Sequence, residues 1–389
     1  MEGSTPARRA ARAPVVGVDV ANIKVLIAAG SFIGFGWVVN LNRWARPLGQ
    51  SEKIGGFFGL HEPDCSAFQD SVLFRWTEGR EFATFSNARS AFAAIIEATS
   101  PPRVWLPAYI CEGLIADQWR DRIRYYPTGV EFEPDAATLD REAASGDLVL
   151  AVDFFGFPPR SGFLNFAARR RDLLFVDDRA QALDAGIRPW ADWTLYSPRK
   201  LLGVADGGIL VAERPGRQVP HPQERPDAIA LWTAPILRYE DRTDASNQTW
   251  HQANQTKKAW MKVDACEMTR WSGWILSHTT LRPLADRQRD NWRVLRDYLG
   301  RWLACEGDSD AVPLGYVIRV STAQRPSVLR GLHGDGIFAA VHYPSLPSPA
   351  EAFAIEHELC GQLITLPCDH RYDKASMRRV AERTLALLS

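Results

Sequence analysis

The chain of 389 residues is long enough for a large α/β domain and a smaller second domain. Hydrophobic residues make up 46% and charged residues 24%, which is the composition of a globular protein rather than of a disordered one. Lysine plus arginine and aspartate plus glutamate number 46 each, so the charge balance gives no support to nucleic-acid binding.

The N-terminal 50 residues differ in character from the rest. Residues 1–14 are small and basic, and residues 25–39 form an uncharged, largely apolar run. That run is shorter than the about 20 residues of a membrane-spanning helix, and no signal-peptidase site follows it. We therefore expect a partly disordered or docked extension over residues 1–50, with contact to a membrane surface as the less favoured alternative.

From about residue 80, helical and strand-like patterns alternate. Helical spacing of apolar residues predicts helices over 86–99, 113–121 and 162–171. Short β-branched and aromatic runs predict strands over 103–110, 123–130, 147–157, 172–178, 192–198 and 207–213. This rhythm predicts crossover units and a mostly parallel sheet, in which ligands bind beyond the carboxyl ends of the strands.

The pattern changes after about residue 215. A proline-rich link covers residues 214–227, and a segment rich in Trp, Gln and Asn follows over residues 228–262. A long amphipathic helix is predicted within 279–303, followed by a strand, a helix and a strand between 313 and 344. We predict a large domain over 51–260 and a small α+β domain over 261–389.

The six cysteines lie apart from one another, with no C-x-x-C pair and no spacing typical of a metal site. Scattered single cysteines are typical of reduced thiols in the cytosol. We therefore expect a cytoplasmic protein that has neither a disulfide framework nor a bound metal.

Four strand ends carry polar residues, namely SNARSA (86–91), VDDRAQ (176–181), SPRK (197–200) and DGG (206–208). A turn of small and polar residues that opens a helix is a common phosphate site, because free N–H groups and the helix dipole converge there. A phosphate site, a carboxylate and a lysine in this order suit pyridoxal 5′-phosphate (PLP). The lysine holds the aldehyde, and the carboxylate keeps the pyridine nitrogen protonated.

This ordered set resembles the DegT/DnrJ/StrS-type sugar aminotransferases, which are fold-type-I PLP enzymes, from about residue 54 to the C-terminus. VDDRAQAL is similar to the family's (E/D)DxA(Q/H) motif, which implies that Asp178 binds the pyridine nitrogen and Gln181 contacts the cofactor. Asp177 remains the alternative to Asp178. Lys200 precedes Gly207 and Gly208 by seven and eight residues, the spacing of the family's Schiff-base lysine.

The resemblance also implies the other cofactor contacts. SNARSA takes the place of the family's NGT(A/S)A turn, so Ala88, Arg89 and Ser90 inherit phosphate binding, with helix capping as the alternative. Ser197 is a further phosphate candidate, and Tyr109 either stacks on the pyridine ring or packs in the core. Arg199 either adds a fork donor to the phosphate site or points to solvent.

Two positions depart from the family's pattern. Leu195 stands where the family has a phosphate-binding serine, and Ala88 replaces the glycine of the NGT turn. The segment 363–382, which contains His370, is similar to the family's closing strand, loop and helix. His342 and His370 are candidate substrate contacts, with a structural role as the alternative.

The resemblance implies an α/β fold: a large αβα sandwich with a mostly parallel sheet and a small C-terminal α+β domain. It also implies a homodimer in which a neighbouring chain closes the phosphate pocket through Asn247 or Asn254. The implied reaction moves an amino group from glutamate or glutamine to a keto sugar, most simply a nucleotide-linked one, with Lys200 carrying the proton. A different PLP reaction on an amino acid and an inactive PLP-fold binding protein are the alternatives.

Overall fold

The computed structural model describes residues 53–64, 67–114, 116–184, 186, 189–225, 229–240, 248–307 and 311–389. The predictions for residues 1–50, including the apolar run 25–39, lie outside the described residues, as does Asn247. Residues 51–389 form one compact unit. The predicted domain boundary at residue 260 stays a prediction.

The described residues contain thirteen strands, numbered β1 to β13. In chain order they are Ile54–Gly55, Phe82–Phe85, Val104–Pro107, Ile123–Tyr126, Leu148–Val152, Leu174–Asp178, Ala182–Asp184, Trp193–Tyr196, Gly208–Ala212, Val312–Pro313, Tyr316–Arg319, Ile337–Phe338 and Leu363–Leu366.

The same part of the chain contains eleven α-helices, numbered α1 to α11. In chain order they are Val72–Thr77, Ala88–Thr99, Ala136–Glu142, Ser161–Arg169, Ile229–Glu240, Gln248–Trp260, Arg270–Ser277, Leu281–Leu299, Arg325–Gly334, Ala354–Gln362 and Lys374–Leu388. No helix among the described residues is both long and apolar enough to cross a membrane.

Seven strands form one mixed sheet in the order β2-β9-β8-β6-β5-β3-β4. β9 runs antiparallel to both of its neighbours, and the remaining pairs are parallel. The predicted α/β class with a mostly parallel sheet is confirmed. Because Val152 pairs with Asp178 and Asp178 with Leu195, the carboxyl ends of β5, β6 and β8 lie side by side.

The sheet is buried on both faces. Leu148, Leu150 and Val152 of β5 join one buried cluster, while the alternating Val149 and Ala151 join another. The period of two in a strand sends successive side chains to opposite faces, and a strand buried on both reads as a continuous apolar run. Helices therefore cover both sides of the sheet.

The C-terminal part adds small sheets and long helices. β11 pairs with β13 in an antiparallel ladder, and β1 pairs with β12 in a parallel one. The amphipathic α8 buries Leu295 and Leu299 in the same cluster that reaches Ile318 and Ile364. One continuous core therefore joins the large sheet to the C-terminal strands.

One predicted helix is wrong. Residues 113–121 form parts of two 3-10 segments, Glu112–Leu114 and Asp117–Arg122, and no α-helix. Neither segment contains a fully buried residue, and Leu114 and Trp119 pack only partly against the core, so little apolar packing is available to stabilise a longer helix.

Candidate active site

The carboxyl ends of β2, β6 and β8 open onto a cavity of about 310 Å³. Asn87 and Ala88 at the start of α2 line it, together with Asp178 at the end of β6 and Ser197 and Lys200 after β8. The structure therefore brings three of the four polar segments of the sequence to one wall, as expected for an α/β sheet.

Lys200 ends a 3-10 turn, Pro198–Lys200. The backbone N–H of Lys200 donates to the Ser197 carbonyl at 3.0 Å. Burial lowers the pKa of its ammonium group, and the Asp178 carboxylate opposes that shift. The side chain is only half-buried, because it lies on the cavity wall. A lysine with a lowered pKa supplies the neutral amine that carbonyl chemistry and proton transfer need.

Asp178 faces the cavity and Asp177 does not. Asp178 accepts a hydrogen bond from the Ala180 N–H at 2.9 Å; burial raises its pKa, and the Lys200 charge acts against that rise. Asp177 is buried behind it and accepts from Arg179 Nε at 2.7 Å. Burial and the adjacent Asp177 raise the pKa of Asp153 well above its usual value.

The turn before α2 is rigidly held. Asn87 Oδ1 caps the helix by accepting from the Ser90 N–H at 3.1 Å. Ala88 and Arg89 line the cavity, while the Ser90 hydroxyl accepts from the Asp264 N–H at 3.0 Å and stays outside the cavity wall. Of the four predicted phosphate contacts Ala88, Arg89, Ser90 and Ser197, only Ser90 does not reach the cavity.

The side chains of Gln181 and Tyr109 also lie behind the cavity wall. Gln181 accepts from the Phe155 N–H at 3.0 Å and donates to Tyr343 Oη at 3.1 Å. Tyr109 packs against Phe132, with ring centroids 5.2 Å apart. Their assigned cofactor contacts stay predictions.

Sequence reasoning missed several residues of the wall. Tyr343 lines the cavity from the C-terminal part of the chain, and Ile110, Cys111 and Met261 complete the sides. The strand-like run IFAAVHYP (337–344) was the available signal for Tyr343, because this polar aromatic residue lies near the end of the run. Nothing local in the sequence indicates Met261.

The double glycine after Lys200 has a steric cause. Gly207 has a φ of +126°, which favours glycine, and its N–H bonds to the Ser86 carbonyl at 2.8 Å. Gly208 approaches the start of α2 so closely that a β-carbon would lie 2.3 Å from the Asn87 carbonyl carbon. The glycine pair therefore lets β9 pass against the helix start that lines the cavity.

A second cavity of about 260 Å³ lies on the other side of Lys200. Arg199 and Lys200 line both cavities, and Phe58, His342 and Arg371 line the second. Burial, aided by the Lys200 charge, lowers the pKa of His342 to about 4, so its imidazole is neutral at neutral pH. This cavity offers an aromatic ring, a neutral hydrogen-bonding ring and cations beside the lysine.

The other substrate and partner candidates lie elsewhere. His370 is buried below the second cavity, stacked on Phe58 with ring centroids 5.7 Å apart. Asn254 is buried on α6 and lines neither cavity. Within the described residues, no group of three or more His, Cys, Asp and Glu side chains is placed to hold a metal ion.

The sequence matches no protein-family model and no curated protein. Solved structures do match. A DegT/DnrJ/EryC1/StrS aminotransferase from Brucella abortus has a TM-score of 0.57 at 12% identity, covering 95% of this chain and 97% of its own. The chain has the DegT-type aminotransferase fold. The resemblance found in the sequence is thereby confirmed at the level of the fold.

Two further structures share the DegT-type fold. PseC from Helicobacter pylori, an aminotransferase involved in the biosynthesis of pseudoaminic acid, has a TM-score of 0.58 at 14% identity, covering 87% of this chain and 99% of its own. The E. coli GDP-4-keto-6-deoxy-D-mannose-3-dehydratase with bound hydrated PLP has a TM-score of 0.58 at 11% identity, covering 87% and 100%. Two different reactions therefore occur on this fold.

Proposed function

We propose that this chain is a PLP-dependent aminotransferase that moves an amino group from glutamate or glutamine to a keto sugar, most simply a nucleotide-linked one. One observation carries the proposal: Lys200 and Asp178 line the same cavity, together with the N-terminus of α2. Fold alone does not specify a reaction. The residues at the carboxyl edge of the sheet supply the chemical argument.

The residues of the first cavity fit PLP. The cavity wall includes a helix start with free N–H groups, the Ser197 hydroxyl, one carboxylate and one lysine. The Nε of Arg199 is buried there without a hydrogen-bond acceptor, which leaves a cationic donor for an anionic group. Asp178 would hold the pyridine nitrogen, and Lys200 would hold the aldehyde.

When bound, PLP supplies an electron-withdrawing ring that stabilises negative charge at the carbon next to the transferred nitrogen. Asp178 keeps a proton at the ring nitrogen, because an adjacent carboxylate favours the protonated form. Lys200 is exposed to both cavities, so its amine can take a proton from the substrate carbon and return it elsewhere. His342 and Phe58 orient the substrate from the second cavity.

The assignment of the amino acceptor rests on the second cavity and on the neighbours. PseC is involved in the biosynthesis of pseudoaminic acid, and the dehydratase is a GDP-4-keto-6-deoxy-D-mannose-3-dehydratase. An aromatic face beside a few polar groups suits a sugar ring, and Arg371 stands at the edge of the same cavity. In the family that the sequence resembles, dehydrating members carry histidine in place of the lysine, so Lys200 favours transamination.

The test is an absorbance spectrum of the purified protein with PLP, before and after glutamate is added. We expect a near-violet band that glutamate abolishes, and no such band in the Lys200→Ala variant. Lys374→Ala removes a surface lysine that is ion-paired with Asp290 and should leave the band intact. A band that ignores glutamate favours another PLP reaction, and no band in the unaltered protein favours the inactive binding protein.

We infer further that the enzyme is a cytoplasmic homodimer without membrane contact. The five cysteines in the described residues are free thiols, which supports a reducing compartment. Trp271 and Trp274 on α7 are 47% and 43% exposed, and their ring centroids lie 5.7 Å apart. Such exposed aromatic pairs are typical of interfaces. Sedimentation analysis would test the dimer, and a Trp271→Glu, Trp274→Glu variant should sediment as a monomer.

A further inference from the structure

Arg199 lies at the junction of the two cavities and has no partner in the described part of the chain. It sits between Pro198 and Lys200 in the turn after β8 and lines both cavities. Its Nε is buried without an acceptor, and no hydrogen bond or ion pair joins its guanidinium to a described residue. The side chain as a whole is half-buried on the cavity wall, but a buried cationic donor atom without an acceptor is costly, so such a group indicates a site for an anion.

The other arginines of these cavities already donate to protein groups, although the Nε of Arg89, like that of Arg199, is buried without an acceptor. Arg89 donates to the Gly113 carbonyl at 3.2 Å and to the Met261 carbonyl at 2.5 Å. Arg371 forms an ion pair with Asp369 at 2.7 Å. Arg199 therefore differs from both in offering its whole donor set to a ligand.

The surroundings of Arg199 favour a doubly charged anion at the α2 end of the first cavity. Burial lowers the pKa of Arg199, and the charge of Arg89 in the first turn of α2 adds to that effect. The nearby carboxylate of Asp206 already accepts from Thr269 and Ser272. Two guanidinium groups and the positive end of a helix dipole therefore converge where Ser197 also points.

We propose that Arg199 binds the phosphate group of PLP from within the same chain, as a planar fork donor beside Ser197 and the α2 N-terminus. The proposal rests on the proposed function, because it assumes that PLP occupies this cavity. Arginine suits the role, since its donors match two phosphate oxygens at once. The residue next to the lysine thus fixes the phosphate, so this chain supplies a charged phosphate contact of its own beside the asparagine that the resemblance assigns to a neighbouring subunit.

The experiment compares PLP with pyridoxal, which lacks the phosphate, on apo protein and on its Arg199→Gln and Arg199→Lys variants. Fluorescence titration gives both affinities, and calorimetry gives the affinity of inorganic phosphate for the apo protein. We expect Arg199→Gln to weaken PLP and inorganic phosphate by about 10- to 100-fold and pyridoxal by less than about threefold. The affinities of Arg199→Lys for PLP and inorganic phosphate should lie between those of the unaltered protein and Arg199→Gln, because lysine keeps the charge but lacks the paired planar donors of arginine.

Several outcomes separate this proposal from its rivals. Equal losses for PLP and pyridoxal would overturn it, as would an unchanged PLP affinity with a raised KM for glutamate, which would assign Arg199 to the donor's carboxylate. If Arg199→Gln does not fold, the ratio of PLP to pyridoxal affinity in Arg199→Lys decides. Failure of the unaltered protein to bind PLP would instead contradict the proposed function. An affinity for inorganic phosphate that is the same in Arg199→Lys as in the unaltered protein would overturn the present inference separately.

Discussion

Gly208 and Asn87 touch through their main chains, although 121 residues separate them in the sequence. A β-carbon on Gly208 would lie 2.3 Å from the Asn87 carbonyl carbon and 2.4 Å from the Ala88 nitrogen. Asn87 is the N-cap of α2 and lines the candidate cofactor cavity. The contact therefore couples the strand that follows Lys200 to the helix start on the opposite wall.

Gly208→Ala should destabilise the protein by roughly 2 to 3 kcal/mol, because the methyl group meets rigid backbone rather than a movable side chain. Urea unfolding followed by circular dichroism measures this. Gly162→Ala is the matched control: nothing lies within 4 Å of its β-carbon in α4, and alanine should stabilise that helix by up to about 1 kcal/mol. Equal stabilities of the two variants would contradict the contact.

Asp178→Asn should weaken catalysis by about 10- to 100-fold while leaving the fold intact, because a neutral amide cannot hold a proton at the ring nitrogen. Asp177→Asn should instead destabilise the fold and affect catalysis less directly. It breaks the buried pair with Arg179, which generally costs about 3 to 5 kcal/mol of unfolding free energy.

The kcat and the urea midpoint of both variants distinguish the two aspartates. A large loss of kcat in Asp177→Asn at unchanged stability, with Asp178→Asn remaining active, would assign the pyridine nitrogen to Asp177 instead.

His370 should make the protein less stable in acid. Burial lowers its pKa to about 3, from 6.5 in the unfolded chain, with His61 and Arg371 adding to the shift and Asp369 opposing it. Below pH 6.5 the unfolded chain binds a proton that the folded state refuses, so stability falls as the pH falls towards 3. Between pH 7.5 and pH 5.0 the loss from this group amounts to about 2 kcal/mol.

The check is the unfolding free energy at both pH values for the unaltered protein and for His370→Gln, whose pH dependence should be smaller by that amount. His221→Gln, which changes an exposed histidine, serves as the control. An identical pH dependence in all three proteins would show that His370 is not buried in its neutral form.

Asp206→Ala should destabilise the fold by about 2 to 4 kcal/mol. The buried carboxylate accepts from the Thr269 N–H at 3.0 Å, from the Thr269 hydroxyl at 2.8 Å and from the Ser272 hydroxyl at 2.5 Å. The substitution removes the carboxylate from the buried Thr269 N–H and Ser272 hydroxyl at the start of α7, and it leaves the Thr269 hydroxyl only the Ser272 oxygen as an acceptor, at 3.0 Å. Thermal melting measures the effect, and Asp286→Ala on the exposed face of α8 should change stability by less than about 1 kcal/mol.

If Asp206→Ala melted like Asp286→Ala, water would have to replace the carboxylate at all three donors. The acidic residue before the glycine pair would then have no structural role.

Local sequence patterns determined the class of fold and the chain positions of its polar strand ends. Alternating helix and strand periods predict a mostly parallel sheet, because such strands need crossover helices. Lys200 before a glycine pair and Asp178 at the end of an apolar run were visible for the same reason: strand ends and tight turns leave short-range signals. The helix predicted over 113–121 failed, since a periodic pattern does not specify a surface on which to pack.

Only the tertiary structure decided which of those residues reach the cavity. Ser90, Gln181 and Tyr109 turn to long-range partners, Asp264, Tyr343 and His342 respectively, which no local pattern can indicate. The position of Arg199 between two cavities likewise depends on walls from both halves of the chain. Side-chain direction at a site follows from packing between distant segments, and the amino-acid sequence encodes that packing only through the whole fold.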